Sequence, residues 1–207
     1  MSAAATLRPT LSEEARKLLF TEARTHQHFL PTPVPDAKLE EMYGLWKFGP
    51  TSANTNPARV LFIKSAEGKA ALEPCLMEGN RAKSATAPVT AILAYDTEYF
   101  EELPRLAPPM AGYVAAFKAG PEWAKRTGEQ SAALQAAYLI LAARAVGLDA
   151  GPMGGFDPAA VDAAFFAKDP KRANWKSQMV INLGYGDESK LYPRFPRFEY
   201  DEVTAFA

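Results

Sequence analysis

The spacing of apolar side chains along the chain predicts helices as the dominant element. Apolar residues three or four positions apart give each helix one face for burial. Ser12 and Asp36 stand where N-terminal caps are expected, and Gly49-Pro50 and Gly147 stand where helices end. The helices predicted in this way cover about 12–24, 36–48, 66–84, 129–147 and 158–166.

Three short, nearly continuous apolar runs predict strands between these helices. They cover about 59–64, 89–95 and 178–184, and the run at 89–95 has the composition of a buried central strand. Strands that alternate with helices favour three layers, a sheet with helices on both faces. The other segments are an extended, proline-rich connector at 30–36, an irregular helical or lid-like excursion at 97–128 and a C-terminal tail at 188–207. We predict a single domain over 1–207.

Composition and charge exclude several classes of protein. Hydrophobic residues make up 48% and charged residues 23%, which is typical of a folded globular chain rather than a disordered one. The net charge of -1 gives no overall field that would recruit nucleic acid or an anionic membrane. No export signal and no membrane-spanning run is visible, so we expect a cytoplasmic protein without nucleic-acid or membrane partners.

Metal, disulfide and nucleotide-loop chemistry is also not predicted. The single cysteine, Cys75, excludes an intramolecular disulfide and a cysteine-built metal site. His26 and His28 lack a third histidine or cysteine ligand, so we predict no metal. Neither the glycine fingerprint of a dinucleotide-binding domain nor a phosphate-binding P-loop motif is present.

An ordered set of short motifs resembles the nitroreductase family of flavoproteins. The set comprises Ala23-Arg24-Thr25-His26, Gly49-Pro50-Thr51-Ser52-Ala53-Asn54, Asn80 with Lys83, Ala87-Pro88-Val89, the run Gly147 to Asp157, and Leu183-Gly184-Tyr185-Gly186. Within the family, the chain is most similar to the malonic semialdehyde reductase branch of pyrimidine degradation. The resemblance implies an α+β fold of three layers with a mostly antiparallel central sheet. It also implies an intertwined homodimer with FMN bound at the subunit interface.

Basic residues near both ends of the chain are candidates for the FMN phosphate. Arg24, with Thr25 and His26 beside it, supplies one cation, and Arg194 and Arg197 supply two more. The alternative is that these arginines are solvated or form ion pairs. Gln27 stands where the family commonly has a second basic residue, so the phosphate partners stay open.

Three further groups are candidates for the flavin ring. Side chains of the loop Pro50, Thr51, Ser52 and Asn54 could hydrogen-bond the ring or the ribityl chain, and the resemblance implies that the loop reaches the partner's flavin. The ammonium of Lys83, three residues after Asn80, could favour the negatively charged reduced flavin. The backbone at Pro152, Met153, Gly154 and Gly155 could lie against the ring. The alternatives are an ordinary turn, a solvated helix face and a turn that needs positive φ.

The function implied by the resemblance is a two-step hydride transfer. NADH or NADPH gives a hydride to N5 of FMN and leaves, and the substrate then takes the hydride from the same face, so no protein nucleophile is required. The small-molecule substrate that the branch implies is malonic semialdehyde, reduced to 3-hydroxypropionate. The alternatives are a general nitroaromatic or quinone reductase and a flavin-binding protein without efficient turnover.

Overall fold

The apolar run near residue 90 forms the central strand of the sheet. In this computed structural model, which describes residues 8–207, β2 (Val89–Asp96) lies between β1 (Ala58–Ile63) and β4 (Trp175–Gly184). A further strand, β3 (Asp149–Met153), pairs with β4 and gives the order β1-β2-β4-β3. Every pairing among these four strands is antiparallel. All residues of β2 except Asp96 are buried, as expected for a strand with helices on both of its faces.

Alternate residues of β2 contribute to two separate cores, which confirms the three layers. Ala91 and Leu93 pack in one core with α2 (Asp36–Trp46) and α7 (Pro121–Ala145). Ile92 and Ala94 point to the opposite face, where the core includes residues of α3 (Ala66–Leu72) and α8 (Pro158–Phe165). The remaining helices are α1 (Glu13–Arg16), which continues as a π-helical turn over Lys17–Thr21, α4 (Glu78–Thr86), α5 (Leu103–Leu106), α6 (Tyr113–Ala119) and α9 (Tyr200–Val203).

The helix predicted over 66–84 is wrong as a single element. α3 ends at Leu72, a 3-10 turn follows over Glu73–Cys75, and α4 begins only at Glu78. Pro74, which has no backbone N–H, lies in that turn, and Leu76 is extended and forms a β-bridge with Phe156. After the break α4 begins beside the end of β3, where the Met77 N–H donates to the carbonyl oxygen of Gly155 at 3.1 Å.

Two other boundaries and one cap also differ from the sequence prediction. Helix α7 begins at Pro121 rather than 129, because proline is tolerated in the first turn of a helix, where its missing N–H has no partner. The irregular excursion therefore ends before Pro121. β4 begins at Trp175 rather than 178. Asp36 is the first helical residue and not the cap, and its carboxylate accepts a hydrogen bond from Lys64 Nζ at 2.5 Å.

Candidate functional site

The end of β3 borders a cavity of about 250 Å³. Its walls come from four segments of the chain: the residues after α1, helix α4, the end of β3 with the glycine pair that follows it, and strand β4. We call it the glycine cavity; its lining residues are Thr25, His26, Gln27, Asn80, Lys83, Gly151, Pro152, Met153, Gly154, Gly155 and Asn182. The structure thus brings together two of the three residue groups predicted for a flavin ring.

The glycine pair at this cavity does not form a turn with positive φ. Among the described glycines only Gly147, after α7, has a positive φ, of 78°. A Cβ built on Gly154 would meet no protein atom within 4 Å, whereas one on Gly155 would lie 2.5 Å from Asn80 Nδ2. Gly155 is therefore needed for close packing against α4, and Gly154 leaves space on the cavity side.

Helix α4 presents one ammonium group to the glycine cavity. Asn80 Nδ2 donates to the carbonyl oxygen of Gly155 at 2.8 Å, and Lys83 Nζ donates to Asn80 Oδ1 at 3.1 Å. Lys83 is half-buried, and no carboxylate of residues 8–207 lies within 4.0 Å of its Nζ. The arrangement fixes a positive charge at the wall of the cavity.

A second cavity, of about 500 Å³, adjoins the first and shares Thr25 and Gln27 with it. We call it the arginine cavity, because its lining includes Arg24, Arg144, Lys190, Arg194 and Arg197. It lies between the chain after α1 and the C-terminal tail, so the structure brings the predicted phosphate candidates from the two ends of the chain together.

Backbone carbonyls, not carboxylates, hold these guanidinium groups. Arg24 donates to the carbonyl of Tyr192, Arg194 to that of Ala23 at 3.1 Å, and Arg144 to that of Leu19 at 2.8 Å. Within residues 8–207 none of the arginines of this cavity has a carboxylate oxygen within 4.0 Å. Several uncompensated cations around one cavity favour an anion with several oxygen atoms.

His26, predicted together with Arg24 for the phosphate, lines the glycine cavity and not the arginine cavity. The residue is only 6% exposed, and its ring packs so closely on Gly186 that a Cβ there would lie 2.1 Å from the ring. Its Nδ1 lies 3.2 Å from Asp149 Oδ1. Burial alone would raise the pKa of Asp149, but the contact with His26 and the hydrogen bond from the Gly186 N–H outweigh it and lower that pKa.

The loop Pro50-Thr51-Ser52-Asn54 lies away from both cavities. It precedes β1, whereas the glycine cavity borders β3 at the opposite edge of the sheet. Ser52 N–H donates to Ser131 Oγ at 3.2 Å, Asn54 Nδ2 donates to the carbonyl of Leu106 at 2.9 Å, and Thr51 Oγ1 accepts from the N–H of Asn56 at 3.2 Å. These contacts give the loop a fixed shape, with Ala53 and Asn54 at φ values of 50° and 57°.

Arg144 and Asn182 line the cavities but were not among the residues predicted for the site. Arg144 interrupts the alanine-rich face of α7, and Asn182 is 1% exposed within an apolar strand. A polar side chain in an otherwise apolar run was the available signal for both.

Comparisons with known proteins show the same fold. A sequence model described as the nitroreductase family matches residues 21–185. The chain belongs to the nitroreductase family. The matched residues include α4, β3, Gly154 and Gly155 but not Arg194 and Arg197, which only the geometry of the arginine cavity brings near Arg24. No helix of residues 8–207 is both long and apolar enough to cross a bilayer.

Solved nitroreductase-like structures resemble the chain over nearly its whole length. A Staphylococcus epidermidis protein provisionally named an NAD(P)H:FMN oxidoreductase has a TM-score of 0.82 at 20% identity, with 98% of this chain and 100% of that one covered. A provisionally named nitroreductase from Exiguobacterium sibiricum, solved in complex with FMN, has a TM-score of 0.79 at 21% identity and 98% and 100% coverage. A nitroreductase family protein from Streptococcus pneumoniae has a TM-score of 0.78 at 22% identity and 94% and 98% coverage.

Proposed function

We propose that this chain is an FMN-dependent NAD(P)H oxidoreductase. The observation that carries the proposal is the cluster of arginines without carboxylate partners beside a cavity whose wall holds Lys83. A phosphate monoester has close to two negative charges at neutral pH, and guanidinium groups bind it with paired hydrogen bonds. The Exiguobacterium relative was solved with FMN, and the Staphylococcus relative is named for NAD(P)H and FMN.

The residues present fit FMN at both of its ends. Arg24, Thr25, Arg194 and Arg197 would hold the phosphate in the arginine cavity, with Arg144 beside them. The ring would lie in the glycine cavity, held by Asn80, Lys83, His26 and the backbone from Pro152 to Gly155. When bound, FMN would supply hydride transfer between a nicotinamide and an acceptor. The protein would hold the ring and favour negative charge on it through Lys83.

We propose a homodimer because one chain leaves the site incomplete. The glycine cavity, where the ring would lie, has a volume of about 250 Å³, and none of its lining residues comes from the loop predicted to contact a flavin. The loop Pro50, Thr51, Ser52 and Asn54 lies at the opposite edge of the sheet and would close the cavity of the partner copy. Aromatic and apolar residues of the tail also lack cover in one chain: Tyr192, Phe195, Phe198, Tyr200, Val203 and Phe206 are 58–91% exposed.

We propose malonic semialdehyde as the acceptor, reduced to 3-hydroxypropionate. The aldehyde carbon would take a hydride and the oxygen a proton. This substrate is supported by the sequence resemblance to the malonic semialdehyde reductase branch, as is a cytoplasmic location. A general nitroaromatic or quinone reductase is the alternative within the same chemistry.

The test is an absorbance spectrum of the purified protein, followed by anaerobic titration with NADH and with NADPH and then with each acceptor. We expect a yellow dimer whose flavin is bleached by a nicotinamide and recovers its colour with malonic semialdehyde. Recovery only with nitroaromatics or quinones would support the alternative. Bleaching without recovery by any acceptor would indicate a flavin-binding protein, and a colourless protein that cannot be reconstituted with FMN would overturn the proposal.

A further inference from the structure

A half-buried lysine on α3 has no carboxylate partner. Lys69 Nζ donates to the carbonyl oxygens of Ser84 and Ala87 at 2.8 and 2.6 Å and to Thr90 Oγ1 at 2.8 Å. The three donors of the ammonium group thus meet three acceptors. In the part of the chain that the structure describes, no carboxylate oxygen lies within 4.0 Å of Nζ. Burial lowers the pKa of Lys69 to about 8.

The Lys69 contacts continue to the wall of the glycine cavity. Thr90 Oγ1 lies 2.8 Å from Asn182 Oδ1, and both residues are almost fully buried, Thr90 at 0% and Asn182 at 1% exposure. Asn182 lines the glycine cavity, where its Nδ2 has only the weak acceptor Met153 Sδ, at 3.8 Å. Two hydrogen bonds therefore separate a cation from an amide group at the cavity.

The charge on Lys69 gives this series of hydrogen bonds a preferred direction. Lysine can only donate, so Thr90 Oγ1 must accept from it. The ammonium group also attracts the negative end of the Asn182 amide dipole. This attraction favours Oδ1 facing Thr90, which donates to it, and Nδ2 facing Met153 and the cavity. Without the charge at Lys69 the attraction is lost, and the flipped amide becomes comparable in energy, because Thr90 Oγ1 can then accept from Nδ2 and donate to Ser84 Oγ, 3.1 Å away.

We propose that Lys69 is a positioning residue for the glycine cavity. Through Thr90 it directs the N–H groups of Asn182 at the cavity, and it adds positive charge behind the wall. Both effects favour negative charge on a molecule bound there. For FMN, whose binding rests on the proposed function, Lys69 and Lys83 together raise the reduction potential of the bound flavin, since the reduced flavin is the more negative form.

The experiment measures the midpoint potential of bound FMN in Lys69→Met and Thr90→Val. Each variant removes one link at nearly constant side-chain size. We expect the ratio of affinities for reduced and oxidised FMN to fall by roughly three- to tenfold in both variants. Thr90→Ser keeps the hydroxyl group and should retain the wild-type potential.

Lys64→Met is the matched control for the loss of a lysine. Lys64 also donates to a backbone carbonyl, that of Val34 at 2.9 Å, but it pairs with Asp36 and lines neither the glycine nor the arginine cavity. Its removal should leave the potential unchanged. Circular dichroism and the melting temperature show whether each variant folds, and if Lys69→Met does not, the pair Thr90→Val and Thr90→Ser decides.

Two failures can be told apart. If wild-type protein binds no FMN, the proposed function fails before the variants are compared. If wild-type binds FMN and the folded Lys69→Met and Thr90→Val proteins keep its potential, the proposed function stands and the role of Lys69 is wrong.

Discussion

At the scale of single residues, the two glycines after β3 have opposite environments. A Cβ at Gly154 would point into open space, and a Cβ at Gly155 would lie against Asn80. Substitution of Gly154 should therefore affect a ligand, whereas substitution of Gly155 should affect the protein itself. Neither outcome follows from the glycine pair as a sequence pattern, which is also compatible with a turn that needs positive φ.

Gly154→Val should remove FMN while the fold remains intact. The added side chain would occupy space that the flavin ring needs, and its Cβ would have no protein atom within 4 Å. In the matched variant Gly155→Ala, the new Cβ should weaken the hydrogen bond from Asn80 to the Gly155 carbonyl and lower the free energy of unfolding by about 1 kcal/mol. The ratio of flavin to protein absorbance and the melting temperature of the apoprotein measure the two effects. Full flavin content in Gly154→Val would show that the ring does not approach this residue.

Lys83→Ala should lower the reduction potential of bound FMN. Loss of a half-buried ammonium group at the cavity wall is worth about 1.4 kcal/mol, which is about 30 mV for a two-electron couple. Arg81→Ala on the same helix is the control, since Arg81 is exposed and donates from Nε to the carbonyl of Leu76 at 3.2 Å. An unchanged reduction potential in Lys83→Ala would show that Lys83 does not act on the flavin ring.

Asp149→Asn should make folding stability less dependent on pH in the acid range. The pKa of Asp149 is lower in the folded chain than its usual 3.8, so its carboxylate stabilises the fold above about pH 4 and loses that contribution as pH falls through the folded pKa. The variant should be less stable by about 1 kcal/mol at pH 7, since the carboxylate is partly exposed. Urea unfolding at pH 7 and at a series of pH values below 4 checks this. A gap between wild type and variant that does not narrow as the pH falls below 4 would contradict it.

At the scale of elements, the sequence predicted what depends on local patterns. The buried run of β2 and the layers around it follow from apolar spacing alone. β3 was missed because Gly151 and Pro152 are poor strand formers; it is held by pairing with β4, and a Cβ on Gly151 would lie 2.3 Å from the carbonyl oxygen of His26. Such long-range contacts, like the meeting of Arg24 with the tail, leave no trace in local spacing. The resemblance to the family was therefore needed to group the site residues.

The C-terminal tail should have two separable roles. Truncation after Lys190 removes Arg194 and Arg197 as well as the exposed aromatic residues, so we expect a monomer that does not retain FMN. The full-length double variant Arg194→Ala with Arg197→Ala should remain a dimer and bind FMN about tenfold or more weakly, because only the phosphate contacts are lost. Sedimentation and FMN titration measure both. A truncated protein that stays dimeric would place the subunit interface elsewhere.

At the scale of the whole molecule, the loop before β1 lies at the opposite edge of the sheet from its own glycine cavity, so we predict that it acts in the site of the partner chain. Consider a mixed dimer in which one chain carries Gly154→Val, which blocks its cavity, and the other carries Ser52→Phe, which alters its loop. If each loop closes the partner's glycine cavity, this dimer contains one site with both defects and one site with neither. The Ser52 hydroxyl forms no hydrogen bond within the described residues, so the loop should keep its shape. Differently tagged chains, co-expressed and purified through both tags, should bind FMN at about half of their sites. Both homodimers should bind almost none. If each loop instead served its own chain, every site of the mixed dimer would carry one defect, and the protein would be colourless.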